Sequence, residues 1–483
     1  MPEASGPDLE AHPDDASERI RRLVFRDGVC SRLMDTLTGG PFLAGLALLV
    51  GASNLVLGLL AALPILSQVA QLPTLGLLLR VHDRRKVVVV TCFLARTLLL
   101  VVAAILFAQP ALLDGAVLLG IFAVSALLAV TATAAWNWWM RDLLPPETLG
   151  RFFGRRMKAN TAAALVALLA AGWALDRFHA AGRDTDGYAL LFGVGALVGL
   201  VGLLYLARTP HPEPPPSPPA RRSLQILAET LRQPATRRLS LAFAAVATSV
   251  TFALPFVAVF LLRGLGYSYV VVTALTALGQ LAYIAGLRGW GHLSDNHGNR
   301  AVLLLSIGLL AVVQVGWAAA GWRPGWTMLG WAAVLHFLAG YATGGVDLGG
   351  TNLLLRSAPR DGAPAHLAAV SLGRALLAGL GTVAAGALWD AIGTGAVWSS
   401  GHWSLHGFQV LSLLGAGFCL VALYALGRVP EPAARPVVEV ARAMRREVHQ
   451  MSSVPGIRGL IHAVSYSVEF MAAPFAARRG RRP

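Results

Sequence analysis

Long apolar runs alternate with short polar punctuation between residues 29 and 428. A helix needs about 20 apolar residues to cross a bilayer. Twelve stretches qualify, near 29–52, 55–79, 87–107, 112–140, 153–176, 187–208, 239–263, 268–290, 300–321, 327–355, 365–391 and 405–428. The one long polar connection, 209–238, contains HPEPPPSPPARR. Its prolines forbid a helix and favour extended chain. The pattern predicts an all-α polytopic membrane protein with six spans, a linker and six more.

Composition supports this. Hydrophobic residues make up 55% of the 483 and charged residues only 13%, too few to clothe a soluble fold of this length. The charge is lopsided, with 40 Lys+Arg against 25 Asp+Glu. Such an excess can mark a nucleic-acid binder. No basic, aromatic-interleaved domain stands apart from the apolar spans, so anionic membrane lipids are the expected partner and nucleic acid is not.

Distribution of the charge predicts orientation. Arg80, Arg84, Arg85 and Lys86, then Arg151, Arg155, Arg156 and Lys158, then Arg221, Arg222, Arg237 and Arg238, then Arg300, Arg356 and Arg360 all fall in alternate loops. The opposite loops are nearly bare, apart from Arg177, Arg183, Arg263 and Arg323. By the positive-inside rule both termini are cytoplasmic. Residues 1–28 read as a cytoplasmic tail without a signal peptide. Residues 429–483 read as a basic cytoplasmic tail, carrying nine arginines and four glutamates. Within it Val437, Val440, Met444, Val448 and Met451 form a stripe at helical spacing, as in a helix lying on a lipid surface. That helix is either an anchor or a regulatory segment.

The halves resemble each other. The fourth span ends in Asn137-x-x-x-Arg141 and the tenth in Asn352-x-x-x-Arg356, each with a proline shortly after. GLLLRVHDRRKVVVV after the second span aligns with GHLSDNHGNRAVLLL after the eighth. Such in-register similarity points to duplication. The second copy, Gly291-His-Leu-Ser-Asp295-Asn-His-Gly298-Asn-Arg300, resembles the G-x-L-(A/S)-D-x-x-G-x-(R/K) loop of the major facilitator superfamily. In physical terms Gly291 permits close helix approach, Asp295 can accept from a facing helix N-terminus, Gly298 permits a tight turn and Arg300 holds the cytoplasmic face. The first copy departs from the pattern, with Arg80 in place of the aspartate and Asp83 in place of the second glycine.

The resemblance covers nearly all of residues 20–428, and GGPFLAGLALLVGASNLVLGLLAALP and WNWWMRDLLPPETLGRFFGRR are similar to an uncharacterised bacterial group within that superfamily. It implies two six-helix bundles, 29–208 and 239–428, rocking between inward- and outward-open states about a central cavity in a bacterial inner membrane. It also implies a monomer that carries a small-molecule substrate. The first, fourth, seventh and tenth helices would line the cavity.

Charges within spans are costly, so they are the candidates for chemistry. Asp347 lies in GYATGGVDLGGTN, nine residues before Arg356, hence roughly 13 Å deeper along a helix. It can couple protons or substrate, pair with an arginine, or face water. Arg374 and Arg96 could neutralise it or bind an anionic solute; Arg374 could equally touch the Asp295 loop or lipid phosphate. Arg32 and Asp35 open the first span on one face, as a salt bridge or a gate pair. Asn137 and Asn352 can bond between helices, beside Trp136, Trp138 and Trp139. Cys30, Cys92 and Cys419 have no metal-ligand spacing. Nucleotide loops, GxSxG and HExxH are absent from the sequence, so neither an enzyme nor a cofactor is expected. The reading is a secondary transporter driven by an ion gradient, with a transport-inactive receptor or scaffold as its rival.

Overall fold

The computed structural model describes residues 13–71, 74, 81, 83–143, 146–211, 229–230, 232–321, 325–358, 363–393, 395–400 and 403–431. Most of the proline-rich linker, the first-half loop around Arg80 and the basic tail beyond Glu431 lie outside them.

Apolar sequence becomes helix wherever it is long enough. Helices α4 (Arg84–Ala108), α5 (Gly115–Leu143), α6 (Pro146–Ala180) and α7 (Asp184–Ala207) follow one another in the first half. The second half has α8 (Pro234–Thr251), α9 (Tyr269–His297), α10 (Asn299–Ala318), α11 (Trp326–Ser357), α12 (Ala363–Ile392) and α13 (Gly407–Gly427). Ten described helices have the length and apolarity to cross a membrane. Two further spans bring the fold to twelve. The first is broken into α1 (Pro13–Thr38) and α2 (Gly40–Leu49), and the second is α3 (Asn54–Leu66), extended by a 3-10 turn to Ala70.

Three departures from the apolar pattern have clear causes. Helix α1 begins at Pro13 rather than near residue 29, because its polar first turns are good helix formers braced by the Arg22–Glu18 pair at i,i+4. Arg32 and Asp35 therefore lie well inside α1 and not at its start. The first span then breaks at Gly39, with Gly40 at φ +54°. The seventh span leaves regular helix at Phe252 and continues through 3-10 and π turns to Gly264, since Pro255 lacks the N–H an α-helix needs. A short hairpin, β1 (Trp398–Ser400) with β2 (Trp403–Leu405), joins α12 to α13.

Contacts divide the chain into two compact units. One comprises Met1–Gly51 with Ala70–Ala220, and the other Ala52–Val69 with Arg221–Pro483. Helix α3 thus packs with the second unit, along α12. In the first unit α1 and α4 both pack on α7, and α4 also on α5. The second unit is built on α9 against α11, α8 against α12 and α10 against α13, around a core that includes Phe243, Leu303, Ile307 and Val370. Large apolar side chains such as Phe107, Val166, Leu197 and Leu420 remain exposed, as lipid-facing positions require.

Candidate functional site

Asp347 owes its setting to glycines. An added Cβ at Gly340 would strike the Gly279 carbonyl, and one at Gly344 would lie 3.1 Å from the Tyr283 carbonyl oxygen. These small residues let α11 and α9 approach closely. Trp290 fastens the pair by donating from Nε1 to the Tyr341 carbonyl at 2.8 Å. The approach brings Tyr283 beside Asp347, and the phenol donates to Asp347 Oδ2 at 3.1 Å. Asp347 is exposed, and so is Arg374 on α12. No ion pair within 4.0 Å joins Asp347 to Arg374. Among the described residues Arg374 has no hydrogen bond or ion pair.

Arg96 answers to a different carboxylate. Asp27 of α1 was not singled out by the sequence, because it precedes the apolar run. Both residues are only 4% exposed, so this pair is sealed where Asp347 is open. Arg96 Nη2 lies 3.6 Å from Asp27 Oδ1 and donates to Ser31 Oγ at 2.8 Å. Ser31 in turn donates to Asp27 at 3.2 Å, and Arg96 Nη1 donates to the Gly199 carbonyl of α7. The cluster ties α1, α4 and α7 together. Arg32 and Asp35, three residues apart on α1, form no ion pair within 4.0 Å and both are exposed. The expected salt bridge is therefore absent between them; basic-then-acidic is the weaker helical order.

The tryptophans at the end of α5 clasp arginines. Arg156 stands 5.1 Å over the Trp136 ring and Arg84 5.0 Å over Trp138. Arg84 also pairs with Asp142, and buried Trp139 donates to the Pro210 carbonyl at 3.1 Å. Asn137 is exposed, without an interhelical hydrogen bond among the described residues. Asn352 makes one, from Nδ2 to Ser294 Oγ at 3.4 Å. His336 is held by the Ala332 carbonyl at 2.8 Å, and buried Gln314 reaches the Ser249 carbonyl at 3.4 Å.

The Gly291–Arg300 loop makes the tight turn expected at Gly298, whereas Gly291 and Asp295 do not act as expected. Gly298 caps α9 at φ +90°, ψ 158°, backbone that only glycine adopts without strain. A Cβ at Gly291 would find ordinary contact with Leu348 at 3.9 Å, so close approach does not demand glycine there. Asp295 is exposed and accepts no helix N–H among the described residues. Its anticipated part falls to Glu431, just beyond α13. Glu431 Oε1 accepts from the Asn299 N–H and Nδ2, each at 3.1 Å, and Oε2 accepts from the Arg300 N–H at 2.8 Å. A carboxylate on the first turn of α10 meets the positive end of the helix dipole. Arg300 donates to the Gly427 carbonyl at the end of α13. In the other half Asp83 caps α4 itself, accepting from the Lys86 N–H at 3.0 Å. Its carboxyl is held below the ordinary range; partial burial opposes this and is outweighed by the Lys86 N–H and the nearby His211 and Lys86 charges.

At the opposite end of the second unit Asp390 of α12 caps α3. Oδ1 accepts from the Asn54 N–H and Oδ2 from the Leu55 N–H, both at 2.8 Å. Arg263 donates to Asn54 Oδ1 at 2.6 Å and sits 5.4 Å over the Trp389 ring.

The profile of the Major Facilitator Superfamily matches residues 28–289. The chain belongs to this superfamily. Solved structures share the fold at low identity. The nucleoside transporter NupG aligns at TM-score 0.61 and 12% identity, over 86% of this chain and 99% of that one. A bacterial homologue of the human lysosomal transporter Spinster, inward-facing and unoccupied, aligns at TM-score 0.58 and 18% identity, over 86% and 96%. A D-xylose–proton symporter aligns at TM-score 0.59 and 15% identity, over 83% and 97%. No curated protein matches the chain. It is a multi-pass membrane protein whose family and structural neighbours are transporters.

Proposed function

We propose that this chain is a secondary active transporter that moves a small solute by alternating access, with Asp347 coupling the cycle to a proton gradient. One observation carries the reading: Asp347 is an exposed carboxylate within a span, held by one phenol and by no ion pair within 4.0 Å. Such a group can gain and lose a proton as access alternates. Asp27, enclosed against Arg96, is the structural counterexample. The family resemblance supports the inner membrane of a bacterium as the setting, and the charge pattern supports two cytoplasmic termini.

Proteoliposomes holding the purified protein test the reading. Solute flux should respond to an imposed pH gradient. Asp347→Asn should abolish uphill transport while sparing exchange, and unchanged uphill transport would remove Asp347 from the mechanism. A folded protein that moves no solute would favour the receptor or scaffold reading.

A further inference from the structure

Among the described residues four arginines stand over tryptophan rings. Arg84 also pairs with Asp142, Arg263 donates to Asn54, and Arg177 is exposed. Arg156 of α6 differs from all three. It is half-buried, yet among the described residues it has no hydrogen bond and no ion pair within 4.0 Å, and its enclosed Nε lacks a partner. Asp27 lies next to Gly28 in α1 but is in contact with Arg96 instead. The Arg156 guanidinium is nonetheless fixed in place. Trp136 supports it at 5.1 Å, and that ring abuts Phe153 edge to face at 6.0 Å. On the other helix an added Cβ at buried Gly28 would strike the guanidinium. A donor fork held still without an acceptor is organised for an anion.

The surroundings point to the source of that anion. Arg156 lies four residues inside the apolar stretch Phe152–Ala180, at the end of α6 that the charge pattern assigns to the cytoplasm. Arg155, Met157 and Lys158 beside it are exposed, the methionine at 67%. Cations interleaved with an exposed apolar side chain suit the headgroup level of a bilayer. One turn further along the same face of α6, Asn160 leaves its enclosed Oδ1 without a hydrogen bond, an acceptor for a hydroxyl group. We infer that Arg156 and Asn160 form a site for an anionic phospholipid with a hydroxylated headgroup. The lipid phosphate accepts from the Arg156 Nη groups, and a headgroup hydroxyl donates to Asn160. Every residue of the site belongs to the first unit, and the site does not depend on the transporter reading.

Native mass spectrometry of the purified full-length protein in detergent tests this. The protein is titrated with phosphatidylglycerol, phosphatidylcholine or phosphatidic acid, and the first binding step is read. Phosphatidylglycerol should bind about tenfold more tightly than phosphatidylcholine, a comparison that needs no variant. Arg156→Gln should remove that preference. Gly28→Ala, which crowds the guanidinium but keeps its charge, should weaken it. Arg155→Gln and Lys158→Gln should each change it about twofold or less, as for exposed and screened charges. Asn160→Leu should weaken phosphatidylglycerol and leave phosphatidic acid unchanged. Equal binding of phosphatidylglycerol and phosphatidylcholine by the unmodified protein would overturn the proposal. A loss at Arg155 or Lys158 as large as at Arg156 would overturn it too, in favour of diffuse charge. Displacement of bound phosphatidylglycerol by excess inorganic phosphate would assign the site to a soluble anion and overturn the lipid.

Discussion

Asp27 and Asp347 show how much the surroundings of one residue type decide. Asp27 is enclosed with Arg96 and braced by Ser31, so its charge is answered within the first unit. Asp27→Asn would leave the Arg96 guanidinium buried without a counter-charge. Breaking a buried pair from one side costs about 3–5 kcal/mol, and chemical unfolding of the purified protein should register a loss of that order. Asp27→Ala combined with Arg96→Met should lose less than Asp27→Asn alone, because no charge is stranded. A loss of about 0.5 kcal/mol, as at ordinary surface positions, would show that neutral partners suffice to hold Arg96.

At the scale of helices, the turns between them depend on a few backbone and carboxylate groups. Gly298 joins α9 to α10 at φ +90°. Gly298→Ala should destabilise the second unit by about 1–3 kcal/mol, read as a lowered unfolding midpoint. Glu431 reaches back from beyond α13 to the first N–H groups of α10. A chain ending just before Glu431 should unfold more readily than one ending just after it. The difference expected from a charged cap is about 1 kcal/mol. Equal stability of the two truncations would reduce Glu431 to a bystander. Asp390 does the same work for α3 from the far end of α12.

For the whole molecule, basic residues gather at alternate helix ends. They mark the starts of α4, α6, α8 and α10 (Arg84, Arg155, Arg237 and Arg300) and the ends of α5, α11 and α13 (Arg141, Arg356 and Arg428). The two ends of α6 give a direct check of orientation. With Cys30, Cys92 and Cys419 replaced by serine, Ala181→Cys should react with an impermeant maleimide in intact cells. Lys158→Cys should react only after permeabilisation. The opposite result would invert the topology.

Apolar run length by itself determined the class of protein and most of its spans, because a bilayer demands some 20 apolar residues per crossing. The glycine–arginine loop after the eighth span pointed to the superfamily, because its backbone needs are local. Tertiary structure decided the rest. Asp27 lay outside every apolar run, and only packing brought it to Arg96. Asp295 stood in the motif, but the first turn of α10 is met by Glu431, 132 residues beyond Asn299. Only close glycine packing between α9 and α11 places the Tyr283 hydroxyl on Asp347. Charge and hydropathy are written along the chain, whereas the partner of a charge is chosen by helices far apart in sequence.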